Sequence, residues 1–231
     1  MRLKERSYRN ELLDEEFIPF ADIRQNMNEL NFINTWLGGH RITVEGFRQL
    51  AGEKKEISIC EIGCGGGDNL VAINKWCIKK GIGLTAIGID IKEACIDVAK
   101  SRSHDFSAAT WLASDYRDAR LETKPDIIFS SLFCHHFTEQ QLVYQLQWMK
   151  ENSKLGFFIN DLQRHFIAYY AIKLLTKAFS KSYLVKNDAP LSVARGFTRN
   201  EWMNICRQAN VTGVNIHWKW AFRYLLVFAH D

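Results

Sequence analysis

The sequence predicts an α/β fold built on a doubly wound, mostly parallel sheet with helices on both faces. Three observations carry this. Short β-rich apolar runs alternate with amphipathic helical stretches from residue 57 to about residue 160, the pattern that builds a parallel sheet. A glycine-rich turn, Glu61-Ile62-Gly63-Cys64-Gly65-Gly66-Gly67, joins the first run to the first of these helices, where a ligand can approach the backbone. The 231 residues are 47% hydrophobic, with only 3 prolines, enough to bury a full core in one domain without disulfides or metals.

Each element follows from local pattern. Ala21 to Leu37 places Ile23, Met27, Leu30, Ile33, Trp36 and Leu37 at helical spacing, and Gly38-Gly39 ends that helix. A short helix from Thr43 to Leu50 follows. Both precede the first strand, so residues 1–52 are expected to form a cap or lid on a main domain of residues 53–231. That domain reads as strand Ile57–Ile62, helix Asn69–Lys80, strand Leu84–Asp90, helix Glu93–Arg102 and strand Ala109–Ala113. The turn Lys124-Pro125-Asp126 introduces strand Ile127–Ser131. A helix Thr138–Lys150 carries a capping box from Thr138 and Gln141, and strand Gly156–Ile159 follows. Asp161–Ser182 reads as one long helix with an aromatic face, and Lys186–Phe197 as a polar loop. Together they suggest a substrate-pocket insert over about 161–197. Helix Thr198–Asn210, with Thr198 and Glu201 as capping box, leads to an antiparallel hairpin of Val211–His217 and Ala221–Ala229.

Composition narrows the classes. The net charge of +4 is spread along the chain without the dense basic stripe of a nucleic-acid binder. No run reaches 18 apolar residues, and the N-terminal sequence lacks an apolar signal core. Stable membrane association is therefore not expected. The six cysteines lie mostly in apolar runs and read as free buried thiols of a cytoplasmic protein.

The glycine turn and Asp90 point to a nucleoside ligand, because a carboxylate ending the next strand can bind ribose hydroxyls. A dinucleotide fingerprint would want a small residue where this chain has Asp68. With Glu61 before the turn, the loop is acidic. It repels a pyrophosphate and suits S-adenosylmethionine, which carries a sulfonium and an ammonium but no phosphate.

At these residues the chain resembles the class I S-adenosylmethionine-dependent methyltransferases. ICEIGCGGG looks like their first motif and IGID, with Asp90, like their second. Ala113-Ser114-Asp115 is similar to the segment that reads the adenine amino group, and DIIFSSLFCHHF to the fourth-strand motif. The resemblance covers roughly residues 55–230. It implies a seven-stranded sheet of the Rossmann-like methyltransferase type with an antiparallel last strand. S-adenosylmethionine would be the cofactor and S-adenosylhomocysteine the product. Carried onto this sequence, Glu61, Gly63, Cys64 and Gly65 would flank the methionine end. Asp90 would hold the ribose, Ile91 pack on adenine, and Ser114, Asp115 and Tyr116 bind adenine. Ser131 and Leu132 would lie beside the sulfonium.

His135 and His136 follow the fourth strand at the carboxyl edge of the sheet, and a neutral histidine there can take a proton. His135 is the first candidate base and His136 the second. The cysteines and histidines show no CxxC or HxxxH spacing, so no metal is expected. Arg164 and His165 after the fifth strand, Tyr169, Arg195 and the segment around Trp36 are the candidate acceptor contacts. They resemble small-molecule O-methyltransferases of aromatic polyketide or quinone pathways. The expected partner is then a phenolic or quinone-type small molecule, with the chain a monomer or homodimer. Two alternatives stay open. An RNA or protein methyltransferase would carry an Asn/Asp-Pro-Pro-aromatic motif where this chain reads Ser-Leu-Phe-Cys-His-His. A non-catalytic cofactor-binding regulator would not need the histidine pair.

Overall fold

In the computed structural model, which describes residues 3–230, seven strands share one sheet. They are β1 (Glu56–Ile62), β2 (Gly83–Asp90), β3 (Ala109–Ala113), β4 (Ile127–Ser131), β5 (Gly156–Leu162), β6 (Asn215–Lys219) and β7 (Arg223–Ala229). The spatial order is β3-β2-β1-β4-β5-β7-β6. Strands β1 to β5 are parallel, and β7 runs antiparallel between β5 and β6. This is the architecture expected from the sequence: a Rossmann-like methyltransferase sheet whose last strand is reversed.

The helices are α1 (Phe20–Trp36), α2 (Gly39–Ala51), α3 (Asp68–Lys80), α4 (Glu93–Arg102), α5 (Glu139–Asn152), α6 (Phe166–Phe179), α7 (Tyr183–Arg195) and α8 (Arg199–Gln208). Side chains alternate across the pleat, so odd and even strand positions serve different helices. Ile57, Ile59, Ile127, Phe129 and Phe158 face Phe47 of α2 and Leu70 and Ile73 of α3. Cys60, Ile62, Ile128, Phe157 and Ile159 face α5 and α8, through Leu142, Leu146, Met149, Trp202 and Ile205. Each such fully buried aliphatic or aromatic side chain contributes about 1.5–3 kcal/mol. All six cysteines are free and buried, as expected.

Four segments differ from the sequence reading. Helix α2 is a layer of the domain rather than part of a cap: Phe47 is fully buried, and a Cβ on Gly46 would stand 2.6 Å from the Phe158 ring. Strand β5 continues to Leu162 because β7 pairs with it along its whole length, as far as Leu162 with Arg223. Asp161 is therefore a buried strand residue, and α6 begins only after His165, whose Nδ1 accepts the Ile167 N–H. Residues 186–197, expected as a polar loop, lie mostly in helix α7, with Pro190 inside it. Its polar residues are buried with partners: Asp188 accepts the N–H groups of Leu12 and Leu13. Finally, β6 begins at Asn215, since Val211 is drawn into the core beside α8 and Gly213 turns with φ +77.

Candidate active site

The carboxyl ends of β1, β2, β4 and β5 open into a cavity of about 820 Å3. This is the edge at which open α/β sheets bind ligands. Its floor begins at the glycine turn. Gly63 and Gly67 have φ of +69 and +74, which side chains other than glycine rarely adopt. A Cβ there would meet the rings of Phe133 at 2.2 Å and Trp111 at 2.4 Å. The turn is thus fixed both by its dihedrals and by its neighbours.

Asp90 closes β2. Its Oδ2 accepts the Gly65 N–H and its Oδ1 the Lys92 N–H, both at 2.9 Å. Burial lifts this carboxyl above its ordinary value, against the lowering pull of those two donors. Beside it, Ile91 lines the cavity while 72% exposed, an apolar side chain left largely open. Ser114, Asp115 and Tyr116 border the same space. The Asp115 carboxylate is engaged by Arg117, and the Tyr116 ring packs edge-on to Trp148 in the core. Glu61 is fully buried below the turn, where Asn69 Nδ2 donates to its Oε1 and Oε2 has no partner. Burial pushes this carboxyl well up. The glycine loop is less acidic than its sequence suggests: Arg102 Nη1 donates to both Asp68 oxygens, at 2.8 and 3.0 Å, so Asp68 does not present an uncompensated charge.

Past β4 the backbone reverses through Leu132, whose φ of +54 is unusual for a branched side chain. A short turn of helix, Cys134–His136, then carries both histidines. His135 is almost fully buried. Its Nδ1 stands 2.8 Å from Asp161 Oδ1, and its Nε2 stands 3.6 Å from Glu11 Oε1. His136 is half-buried, with Nε2 3.7 Å from Glu11 Oε2 and Nδ1 3.3 Å from Asp14 Oδ1. Burial alone would lower the His135 pKa, but Asp161 and Glu11 outweigh it and raise it to about 9. Burial likewise pushes up Glu11 and Asp161. The histidines, with their other hydrogen-bond partners, reverse this and hold both carboxylates below their ordinary values.

Glu11 reaches this place because the N-terminal segment is tied across the sheet edge. Arg6 Nε donates to Arg195 O at 2.9 Å and Nη2 to Phe137 O at 2.9 Å, with the guanidinium 4.1 Å above the Phe197 ring. Arg195 in turn donates to the carbonyls of His135 and His136, at 2.9 and 2.8 Å. Helix α1 adds Met27, Leu30 and Ile33 to the cavity wall, and α6 and α7 add Ile172, Leu175 and Val185.

A sequence model of the methyltransferase-domain family matches residues 53–210. The chain belongs to that family. The family and its structural neighbours point to S-adenosylmethionine as the cofactor, and the chemistry of the cavity agrees: a glycine turn, a carboxylate at the end of β2 and an exposed apolar side chain beside it suit a nucleoside. Solved structures share the fold. The plantazolicin methyltransferase BpumL, in complex with S-adenosylhomocysteine, is 17% identical with a TM-score of 0.63, over 91% of this chain and 89% of that one. An S-adenosylmethionine-dependent methyltransferase from Aquifex aeolicus is 16% identical with a TM-score of 0.59, over 92% and 99%. A protein of Nostoc punctiforme PCC 73102 assigned as an O-methyltransferase is 13% identical with a TM-score of 0.61. The match covers 87% of this chain but only 59% of that one. No curated protein matches the sequence. No described helix is long and apolar enough to cross a membrane.

The cavity brings together Gly63, Cys64, Gly65, Asp90, Ile91, Ser114, Asp115, Tyr116, Ser131, Leu132, His135, His136 and Arg195. It does not bring in four of the residues expected to contact an acceptor. Trp36 points outward at 75% exposure. Arg164 is buried on Glu201, at 2.7 Å, and on Gly196 O. His165 is the N-cap of α6 and stacks on Phe222, and Tyr169 packs on Tyr170 away from the wall. Arg195 borders the cavity, but its guanidinium is committed to carbonyls. Sequence reasoning missed Glu11, Asp14 and Asp161. Asp161 carried a signal, a carboxylate just after an apolar run at the active edge, which the helix reading hid. Glu11 carried none.

Proposed function

We propose that the protein transfers a methyl group to a hydroxyl oxygen of a small, largely apolar aromatic molecule. The observation that carries this reading is that one cavity joins the cofactor residues to the Glu11–His135–His136 cluster. About 820 Å3 is near the upper end for a single-ligand pocket, so it holds a nucleoside with room for an acceptor. We assign Asp90 to the ribose, Ile91 to the adenine face, and Ser131 and Leu132 to the region beside the reacting methyl.

When bound, S-adenosylmethionine supplies an electrophilic methyl group with a neutral leaving group. The protein then has to align the acceptor oxygen, exclude water and dispose of one proton. Alignment is worth about 7 kcal/mol or more. The walls from α1, α6 and α7 provide the apolar fit, and the segment held by Arg6 and Arg195 covers the edge. A phenol is only slightly ionised at neutral pH, with a pKa of about 10. His135 holds its own proton up to about pH 9, with Nδ1 toward Asp161 and Nε2 toward Glu11, so it adds positive charge beside the cavity and does not act as the base. This departs from its expected role as first candidate base. Proton removal falls to His136, the second candidate, whose Nε2 faces the same carboxylate.

Incubation with methyl-labelled cofactor and a panel of phenols, amines, carboxylic acids and short peptides tests the reading. It expects label on phenol oxygen, identified by mass spectrometry, and at least a tenfold lower turnover in His136→Ala. Label confined to amines or peptides would overturn it.

A further inference from the structure

The Glu11–His135–His136 cluster has a spacing that hydrogen bonding does not explain. The two Nε2-to-carboxylate distances, 3.6 and 3.7 Å, exceed the ordinary hydrogen-bond range of about 2.7–3.2 Å. They run to the two different oxygens of Glu11 and are a few tenths of an ångström longer than the edge of a tetrahedral coordination shell, about 3.3 Å for bonds of about 2.0–2.1 Å, so a small side-chain adjustment would close the set on one ion. One ligand atom from each residue falls within 4.8 Å of the other two.

The surroundings match what an imidazole ligand needs. Each histidine directs Nδ1 at a carboxylate, Asp161 at 2.8 Å and Asp14 at 3.3 Å. An Nδ1–H held in this way turns the Nε2 lone pair outward and fixes the ring, which is how outer partners orient metal-bound histidine. Glu11 is fixed as well: Ser192 Oγ donates to its Oε1 at 2.7 Å. The local charge also favours a cation. Three carboxylates (Glu11, Asp14 and Asp161) surround the pair, against two guanidiniums: Arg195, which lies 4.0 Å from Asp14, and Arg6, whose Nε and Nη2 donate to main-chain carbonyls, leaving a net negative balance around the neutral histidines.

We propose that Glu11, His135 and His136 bind one divalent first-row transition-metal cation, with open positions toward the cavity. Two imidazoles and one carboxylate suit zinc, manganese or iron, whereas magnesium and calcium prefer oxygen ligands. The expectation of no metal rested on spacing among cysteines and histidines. The third ligand here comes from the far end of the chain, which no local spacing reveals. The assignment also rests on the reading that the acceptor hydroxyl meets this cluster. There the cation binds the oxygen and lowers its pKa. The O–H bond breaks, its electron pair stays on oxygen as metal-bound phenolate, and the proton leaves to water. In the loaded site both histidines act as neutral ligands, so the cation takes over the positive charge from His135, and the coordinated oxygen loses its proton to water rather than to His136.

The test uses the full chain without an affinity tag, stripped by chelator and titrated with zinc by calorimetry and with cobalt by visible absorption. The expected result is one equivalent bound at micromolar affinity or tighter, with cobalt bands of low coordination number. Glu11→Gln and His136→Ala should each weaken binding by more than about 100-fold, since even an outer partner is worth about 10–100-fold. Asp14→Asn should lose about 10–100-fold, and it serves as the test if a ligand variant fails to fold. Cooperative unfolding and S-adenosylhomocysteine affinity should hold in these variants. Absence of saturable binding below millimolar concentration, or binding that survives these substitutions, overturns the site. A loaded site in a protein that methylates no phenol keeps the site and removes the functional reading. Phenol methylation by protein that binds no metal does the reverse.

Discussion

Asp90 shows how much one side chain can be asked to do at this edge. Its two oxygens hold the N–H groups of Gly65 and Lys92, so it shapes the glycine turn before any ligand arrives. Hydrogen bonds to an ionised acceptor are worth about 1.5–3 kcal/mol each. Asp90→Ala is therefore expected to weaken S-adenosylhomocysteine binding roughly tenfold or more, read by calorimetry, while thermal unfolding stays cooperative. Unchanged affinity would remove Asp90 from the site. The same scale explains which cavity-lining residues were legible in the sequence. Asp90, Gly63 and the histidine pair follow recognisable strand ends. Asp161 and Glu11 matter because of what stands opposite them, and that depends on packing. Arg164 and His165 have the chemistry of a binding site but serve as an internal ion pair and a helix cap.

At the level of elements, local chemistry was legible wherever it acted locally. The capping boxes Thr138–Gln141 and Thr198–Glu201 form as their spacing predicts. Strand β5 and helix α7 were misread because their limits are set from a distance. Strand β7 extends β5 by pairing, and the polar residues of α7 are buried by the N-terminal segment and the histidine turn. Glu201 joins the two regimes. Burial pushes its carboxyl up, but Arg164 and the Thr198 N–H outweigh this and hold it below its ordinary value. A depressed carboxyl stabilises the fold above its unfolded pKa, about 4.3, and this contribution is lost as pH falls through the folded value. The melting-temperature gap between the wild type and Glu201→Gln should therefore be full at pH 6 and shrink on acidification below about pH 4.3. A gap that stays constant from pH 6 to pH 3 would show that the ion pair with Arg164 does not contribute through its charge.

Across the whole molecule, the sheet and its two helical layers were readable from periodicity, whereas the cover over the active edge was only partly so. Of the expected cap, α2 is core, whereas Glu11, Asp14, Met27, Leu30 and Ile33 of the preceding segment border the cavity, and we propose that this segment is the cover. Arg6 fastens that segment through the carbonyls of Arg195 and Phe137. Covers of this kind commonly close over substrate on microsecond-to-millisecond timescales. Arg6→Ala should speed hydrogen exchange in residues 7–16 and lower turnover, while S-adenosylhomocysteine affinity changes little. Exchange rates equal to wild type would show that Arg6 does not hold the cover. The central claim is that the reacting methyl and the Glu11–His135–His136 cluster share one space. A crystal structure of the S-adenosylhomocysteine complex tests it most directly. The ribose should sit on Asp90 and the adenine on Ile91. The sulfur should lie within roughly 8 Å of His136 Nε2, the reach of one methyl, a near-attack contact and a hydrogen bond. A sulfur facing away from the two histidines, or a nucleoside bound elsewhere, would contradict the account.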